Sequence, residues 1–388
     1  MARLNLVTGA TGFSGAYVVR DLLRRGEKVI GTDTAKALND QENKEILKLV
    51  GLDFDHSNLE LIPSDLLDKN SLKELFKKKV THIFHTASLY DYSAKFEVLQ
   101  RVNVEGTRNF VDLALGCDSL EHFVHWSTNG IFGKPFTAAQ GANKVNIPFD
   151  ENSSSPKNTS GPSPKGTYLV NDYSVTKWEQ EQMIWDYYRQ QNLPITVVRP
   201  GPIYGPGSSY GHGGIILVIA NGLVPGIPAD SKNYITTSVH VDDIARFAIF
   251  ASENKDLIGE DYNIVDNSII SYSEFLHYIA LLTGRKMHEI PFVTLSSLYP
   301  IMYRAAALWT MLQKRYGIPR VRVFEVQSAE YISSSYWLSN RKSLETGFEY
   351  LYPDVGEGLK DTVAWFRDVG WLRDKSKIFV SGGKTAKT

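Results

Sequence analysis

Apolar residues along the chain fall in short runs separated by turns and amphipathic stretches. Leu4–Val7 is a run of buried-strand type and leads into TGATGFSG, Thr8–Gly15. Ala16–Arg25 then places Val18, Val19, Leu22 and Leu23 on one face with charge opposite, which predicts a helix. Lys28–Thr32 reads as a second strand after the turn at Gly26. The rhythm continues with a strand at Leu59–Ile62, a helix at Ser71–Lys78, a strand at His82–Thr86, a helix at Val102–Leu115 and a strand at His122–Ser127. Such alternation predicts an α/β fold, a doubly wound parallel sheet covered on both faces.

Strand, glycine turn, helix and strand within about 30 residues is the context that a dinucleotide fingerprint requires. Gly9 suits the tight turn, Gly12 the close approach of a pyrophosphate and Gly15 the packing of helix on strand. Free N–H groups at the helix start would face the phosphates, with Thr11 and Phe13 in the same turn. Asp33 ends the second strand, where a carboxylate accepts from ribose hydroxyls and repels a 2′-phosphate, so NAD is favoured over NADP.

The chain has 388 residues, enough for two lobes. With 42 basic and 43 acidic residues there is no cationic surplus, which argues against a nucleic-acid partner. A single cysteine, Cys117, excludes an intramolecular disulfide framework and fits a cytoplasmic location, with the thiol packed at a helix end. The start of the chain does not read as a signal peptide, and no apolar run reaches the length of a membrane span. Phe292–Leu312 comes nearest, but it carries Arg304 and reads as a helix of a substrate lobe, with peripheral membrane contact as the alternative.

Several motifs stand in one order: TGATGFSG, Asp65-Leu66, HTAS at His85–Ser88, VNVEGT at Val102–Thr107, Ser127-Thr128 followed by Phe132-Gly133, YSVTK at Tyr173–Lys177, RPGPIYGPG at Arg199–Gly207 and VHVDD at Val239–Asp243. The set resembles the extended short-chain dehydrogenase/reductase family, in its 3-beta-hydroxysteroid dehydrogenase-like branch. The resemblance implies a Rossmann domain over 1–200 and 236–266, a smaller, mostly α C-terminal substrate lobe over 201–235 and 267–372, and a tail over 373–388. It implies that Asp65 and Leu66 flank the adenine, and that Thr86, Ala87, Ser88 and Asn103 lie by the cofactor. Pro200, Ile203 and Tyr204 would line the nicotinamide side, although core packing also accounts for Ala87, Pro200 and Ile203. A homodimer through Val102–Leu115 and Ser174–Gln190 is a further implication.

Tyr173 and Lys177 are four residues apart, one above the other on a helix. With 20 tyrosines one chance pair of this spacing is expected, so the position in the family order carries the assignment. A lysine ammonium and a nicotinium charge would stabilise the phenolate, letting Tyr173 take or give the proton of a substrate oxygen. The resemblance adds that Lys177 holds the nicotinamide ribose and that Thr128, with Ser127 as runner-up, holds the substrate oxygen. A strand-end hydroxyl capping a turn is the plainer reading of either. His85 and His125 have no ligand-spaced partner and read as strand residues, so no metal is expected. Asp242 and Asp243 suit helix N-capping and lobe packing. Thr137–Thr167, rich in Ser, Pro, Gly and Asn, reads as a loop over the substrate mouth or as disorder.

Two departures bear on substrate. Sugar dehydratases of this family carry Asp-Glu after the catalytic threonine, where this chain has Asn129 and Gly130. Many nucleotide-sugar enzymes carry an arginine before the VxVDD segment, where this chain has Thr236 and Thr237, leaving Lys232 or Arg285 to substitute. Glu289–Trp309 is mostly apolar, and Tyr331–Trp371 is similar to the steroid branch, so a hydrophobic small-molecule substrate is expected, although the same residues suit a lobe core. The sequence therefore reads as an NAD-dependent dehydrogenase or reductase. The competing readings are a nucleotide-sugar epimerase and a non-catalytic NAD-binding protein.

Overall fold

The computed structural model of the chain describes residues 3–91, 94–133, 148–153, 155–159, 169, 171–224, 226–316 and 335–372. Seven short strands pair in parallel: β1 (Leu4–Thr8), β2 (Lys28–Asp33), β3 (Leu59–Pro63), β4 (His82–His85), β5 (His122–Trp126), β6 (Ile195–Pro200) and β7 (Glu260–Ile264). Their order is β3-β2-β1-β4-β5-β6-β7. Leu6 is in register with Ile30 on one side and Ile83 on the other, so β1 and β4 are neighbours at the point where the strand order reverses. In open α/β sheets ligands bind at such a reversal, outside the carboxyl ends of the strands. β4, β5 and β6 are buried along their whole length, as a sheet covered on both faces demands.

The predicted helices form with shifted starts. α1 spans Phe13–Arg24, so Gly15 lies in its first turn rather than in the loop before it. α2 is Lys69–Phe76. The stretch expected as one helix from Val102 splits into a π-helical turn, Arg101–Gly106, and α3, Thr107–Leu115. α4, Asp172–Gln191, begins where the Asn171 side chain accepts from the Ser174 N–H (2.9 Å) and ends at Asn192 with φ 56°. The sheet faces are covered separately. Tyr17, Val18 and Leu22 of α1 join Ile244, Phe247 and Ala248 of a later helix on one face. Leu72, Phe110, Val111, Met183 and Ile184 cover the other. Full burial of each such side chain stabilises the fold by about 1.5–3 kcal/mol.

Of the later helices, α6 (Val241–Glu253) packs with α1 on the sheet, while α5 (Gly211–Ala220), α7 (Tyr272–Leu282), α8 (Leu295–Tyr316) and α9 (Val355–Asp368) belong to the lobe. Tyr204, Ile216, Ile219, Phe275, Ile279, Leu359 and Phe366 form its core. Tyr204 is fully buried there and donates to Val355 O (3.4 Å). The N-cap of α6 is His240, not an aspartate. Asp242 instead pairs with Arg20 of α1, and Asp243 accepts from the Leu351 and Tyr352 N–H groups (2.5 and 2.9 Å), so both serve packing between segments. The expected loop Thr137–Thr167 lies mostly outside the described residues. Its described part is anchored: Phe149 bridges to Leu338, and Lys157 reaches Glu260 and Asp261 (2.9 and 3.1 Å). The tail, 373–388, also lies outside them.

A buried ion network locks α4 to the sheet edge. Arg199 on β6 meets Glu181 of α4 at 2.6 Å and Asp261 of β7 at 2.5 Å, with all three side chains at most 1 % exposed. Burial opposes the charge on Asp261, and Arg199, Lys157 and Lys342 overcome it, holding the carboxyl at about 2. Arg199→Met leaves buried Glu181 without its cation and Asp261 with only Lys157 and Lys342, and we expect a loss of about 3–5 kcal/mol in chemical denaturation. A loss under about 1 kcal/mol would show that the network does not hold the edge strand.

Candidate active site

The glycine turn is shaped by contact. Gly9 has φ 66°, and a Cβ there would stand 3.0 Å from Thr86 Oγ1 and 3.2 Å from the Ala87 backbone. A Cβ on Gly15 would overlap Gly9 O, and one on Gly12 would lie 3.1 Å from it. Gly12 N donates to Gly9 O (2.9 Å), and Gly12 caps α1 with no side-chain oxygen over the first N–H groups. The result is a backbone cradle at the helix start, free of side chains, and it fits a pyrophosphate. Thr86 Oγ1 donates to Thr8 O (2.7 Å), tying the ends of β1 and β4 together beneath it.

At the end of β2, Asp33 is half-buried. Thr11 Oγ1 donates to its Oδ2 (2.8 Å) and Thr34 N to its Oδ1 (2.8 Å). Thr11 N also donates to Oδ2 (3.3 Å), so Thr11 positions the carboxylate and Oδ1 keeps a lone pair for a ribose hydroxyl. Beyond it, exposed Asp65 accepts from Leu67 N (2.9 Å), while Leu66 packs against Gly106 and accepts from Asn109 (3.1 Å).

The reactive end lies across β4 and β5. Lys177 is 1 % exposed, and its Nζ donates to Ser88 Oγ (3.1 Å), Trp126 O (2.7 Å) and Gln180 Oε1. Burial pulls its pKa from 10.5 down to about 7, with Glu181 pulling the other way. From Lys177 a chain of buried bonds runs to the cradle. Gln180 Nε2 donates to Thr107 Oγ1 (2.7 Å), Thr107 meets His85 Nε2 (3.0 Å) and His85 Nδ1 meets Thr8 Oγ1 (2.9 Å). An ammonium only donates, so Gln180 presents its carbonyl to Lys177 and its amide to Thr107. The Thr107 proton then goes to Nε2, which assigns the His85 proton to Nδ1. Burial, reinforced by the charge of Lys177, lowers His85 to about 3 and keeps the ring neutral.

Tyr173 is 7 % exposed, and its ring meets Tyr90 edge-on with centroids 5.1 Å apart. Tyr90 packs on Tyr210 (5.4 Å) and Tyr210 on Phe13 (6.0 Å), an aromatic row from the phenol to the glycine turn. Asn103, fully buried in the π-helical turn, clamps Leu89 with its oxygen on Leu89 N (2.7 Å) and its amide on Leu89 O (3.3 Å), and reaches Thr176 (3.2 Å). Thr128 is half-buried at the end of β5. Its Oγ1 accepts from Gly130 N (3.2 Å) and donates to Asn129 Oδ1 (3.3 Å). Ser127 differs: it is buried, and its hydroxyl donates to Glu181 inside the core. Pro200 ends β6 in a buried position, with half-buried Ile203 just after it.

A side-chain-free glycine turn, a buried lysine one helical turn from a tyrosine and a half-buried threonine thus stand at or near the strand ends. Residues 5–265 match the NAD dependent epimerase/dehydratase family. The chain belongs to that family. Similar relatives include the sterol demethylase protein B of Methylococcus capsulatus (28% identical, covering 95% of this chain and 99% of the relative). Others are the 3-beta-hydroxysteroid dehydrogenase of Mycolicibacterium neoaurum (24%; 94% and 91%) and the UDP-N-acetyl-alpha-D-glucosaminuronate decarboxylase of Bacillus cytotoxicus (25%; 95% and 99%). The crystal structure of gox2253 superposes with a TM-score of 0.70 at 26% identity, covering 95% of this chain and 99% of that one.

Within this epimerase/dehydratase family the extended short-chain type is an NAD-dependent enzyme, and the cradle and Asp33 are the parts of this chain that would hold the dinucleotide. Sequence reasoning passed over Gln180, Thr107, Tyr90 and Tyr210. Gln180 was within reach, since it stands three residues from Lys177 on the same helix face. Tyr90 and Tyr210 come from separate loops and carry no sequence signal. Among the described residues no group of three His, Cys, Asp or Glu could hold a metal ion. His125 is buried beside His85 and burial keeps it neutral, as befits a strand residue.

Between about 7 and 10.5 Lys177 is neutral in the folded, cofactor-free enzyme and charged in the unfolded chain. The unfolded state then binds more protons, so stability rises with pH across that window. The denaturation midpoint should climb between those limits, and Lys177→Met should flatten the climb; equal slopes would place the charged form in the fold. Asp33→Ala should narrow the preference for NAD over NADP at least about tenfold in Kd ratio, and an unchanged ratio would remove Asp33 from the ribose site.

Proposed function

We propose that this enzyme interconverts a secondary alcohol and a ketone on a hydrophobic, sterol-like or long-chain substrate, with NAD as hydride carrier. The observation that carries this reading is Lys177 Nζ, buried and tied to Ser88 and Trp126 O at the ends of β4 and β5, one helical turn from Tyr173. Bound NAD would accept or return the hydride. Tyr173 takes the hydroxyl proton of the substrate in oxidation and returns it in reduction, acting as general base and acid. Lys177 stabilises the phenolate through its charge. Its three donors are already engaged, so holding the ribose asks Ser88, at 3.1 Å, to yield its place. Thr128 holds the substrate oxygen from its half-buried position. Ser127, whose hydroxyl is committed to Glu181, supports the strand end.

Residues 1–200 with 236–266 carry the cofactor in this reading, and 201–235 with 267–372 enclose the substrate. The protein acts in the cytoplasm as a homodimer. The dimer would use α3 and α4, which already pack side by side through Gln180–Thr107 and Tyr187–Asp112.

Three features favour an apolar substrate over a nucleotide sugar. Asn129 and Gly130 leave elimination without its acid and base. Thr236 and Thr237 are at most 2 % exposed, and Thr237 donates to Tyr336 O (3.0 Å), so neither replaces a diphosphate-binding arginine. Arg285 is engaged with Ala220 O at the end of α5 (2.6 Å). Two near full-length relatives carry sterol or steroid names. The decarboxylase relative supports the second reading, an NAD-dependent nucleotide-sugar epimerase using the same Tyr173. The presence of both Tyr173 and Lys177 speaks against a non-catalytic NAD binder.

With sterols, 3-hydroxy acids and UDP-sugars as a panel, we expect net reduction of NAD with an apolar member. Conversion of a UDP-sugar without net NADH would replace this reading by the epimerase. Tyr173→Phe should lower turnover by about 10²–10⁴ while NAD affinity stays within about twofold.

A further inference from the structure

Helix α8 turns apolar side chains outward. Ile301, Leu308 and Met311 are 63 %, 53 % and 57 % exposed, and Arg304, Ala305 and Arg315 are exposed among them. At the helical repeat these six positions fall within an arc of about 120°. Just before the helix, Phe292 is wholly exposed with φ 64°, a left-handed backbone that bulky residues seldom adopt. Ile290, two residues earlier, is 39 % exposed. A contiguous apolar face of this kind calls for a partner.

Charge indicates which partner. From Pro291 to Phe324 the sequence holds Arg304, Lys314, Arg315, Arg320 and Arg322 and no Asp or Glu, whereas the chain as a whole has 42 basic and 43 acidic residues. Among the described residues no helix is long and apolar enough to cross a membrane. An apolar stripe with arginines inside it and no acidic residue on the same helix matches the boundary of an anionic bilayer, where alkyl groups enter the acyl edge and guanidinium groups meet phosphates.

We infer that α8 and Phe292 form a docking surface for an anionic phospholipid membrane, on which the helix lies in the interfacial plane. Phe292 is the leading wedge, Ile301, Leu308 and Met311 follow it into the acyl boundary, and Arg304 and Arg315 engage headgroup phosphates. The docking stands without the chemistry of Tyr173, because it is read as binding and not as turnover. It adds to that chemistry a source of substrate, since sterol-like and long-chain compounds reside in bilayers.

Flotation of the full chain with vesicles tests it. Vesicles of phosphatidylcholine with phosphatidylglycerol should carry the protein, and phosphatidylcholine alone should carry it at least about tenfold less. Added salt should weaken the binding. A Phe292→Ser, Leu308→Ser double variant should lose about tenfold in vesicle affinity while binding NAD as the parent does. Arg304→Glu with Arg315→Glu should abolish the preference for phosphatidylglycerol. The inference is overturned by no association with anionic vesicles, or by equal association of parent and variants. It is also overturned if these substitutions split a dimer in light scattering and leave vesicle binding unchanged, which would assign the stripe to a second copy of the chain.

Discussion

A primary amine sealed from water is the constraint around which this fold is arranged. An isolated ammonium in such a place is costly, and Lys177 is tolerated because Ser88, the Trp126 carbonyl and Gln180 surround its nitrogen. Each partner arrives on a different element: the loop after β4, the end of β5 and α4 itself. Those elements must therefore be in place together. The Arg199–Glu181–Asp261 network fastens the same helix to β6 and β7 from behind. Glu181 belongs to both arrangements, since it also accepts a hydrogen bond from the Ser127 hydroxyl and favours the charged form of Lys177. Its position makes the ion network at the sheet edge and the amine at the reactive end parts of one electrostatic unit.

Much of this was legible in the sequence. Alternating strands and amphipathic helices announced a parallel sheet, and the TGATGFSG turn located its cofactor end. Boundaries shifted where side chains or packing decide them. Gly15 enters α1 because only a residue without Cβ fits against Gly9 O. The helix expected from Val102 opens with a π-helical turn, which no hydrophobic period reveals, and that turn carries Asn103. His240 took the N-cap role expected of Asp242 and Asp243, because both carboxylates are spent on distant segments. Tyr204 is fully buried in the lobe core, which a position just after β6 did not announce. The aromatic row Phe13–Tyr210–Tyr90–Tyr173 joins four separate segments, and a contact of that kind exists only once the chain is folded.

The lobe repeats the lesson in another form. Its apolar sequence suggested walls for a substrate, yet many of these residues are spent on packing: Leu359 and Phe366 in the lobe core, Leu338 against Ile131 and Trp178, and Phe348 in the cluster with Phe247. Others, on α8, face outward. Composition alone does not separate these fates, because a helix rich in Leu, Ala and Met suits a core and a lipid surface equally. The backbone at Phe292 and the run of cations without anions distinguish them.

The hydrogen-bond chain from Lys177 through Gln180, Thr107 and His85 to Thr8 has a consequence for how such a protein diversifies. It welds the lysine and the glycine turn into a single rigid part, so neither can drift without the other. Novelty in substrate choice is thereby pushed outward, to the loops that leave β5 and β6 and to the lobe beyond them, while the inherited machinery stays as it was.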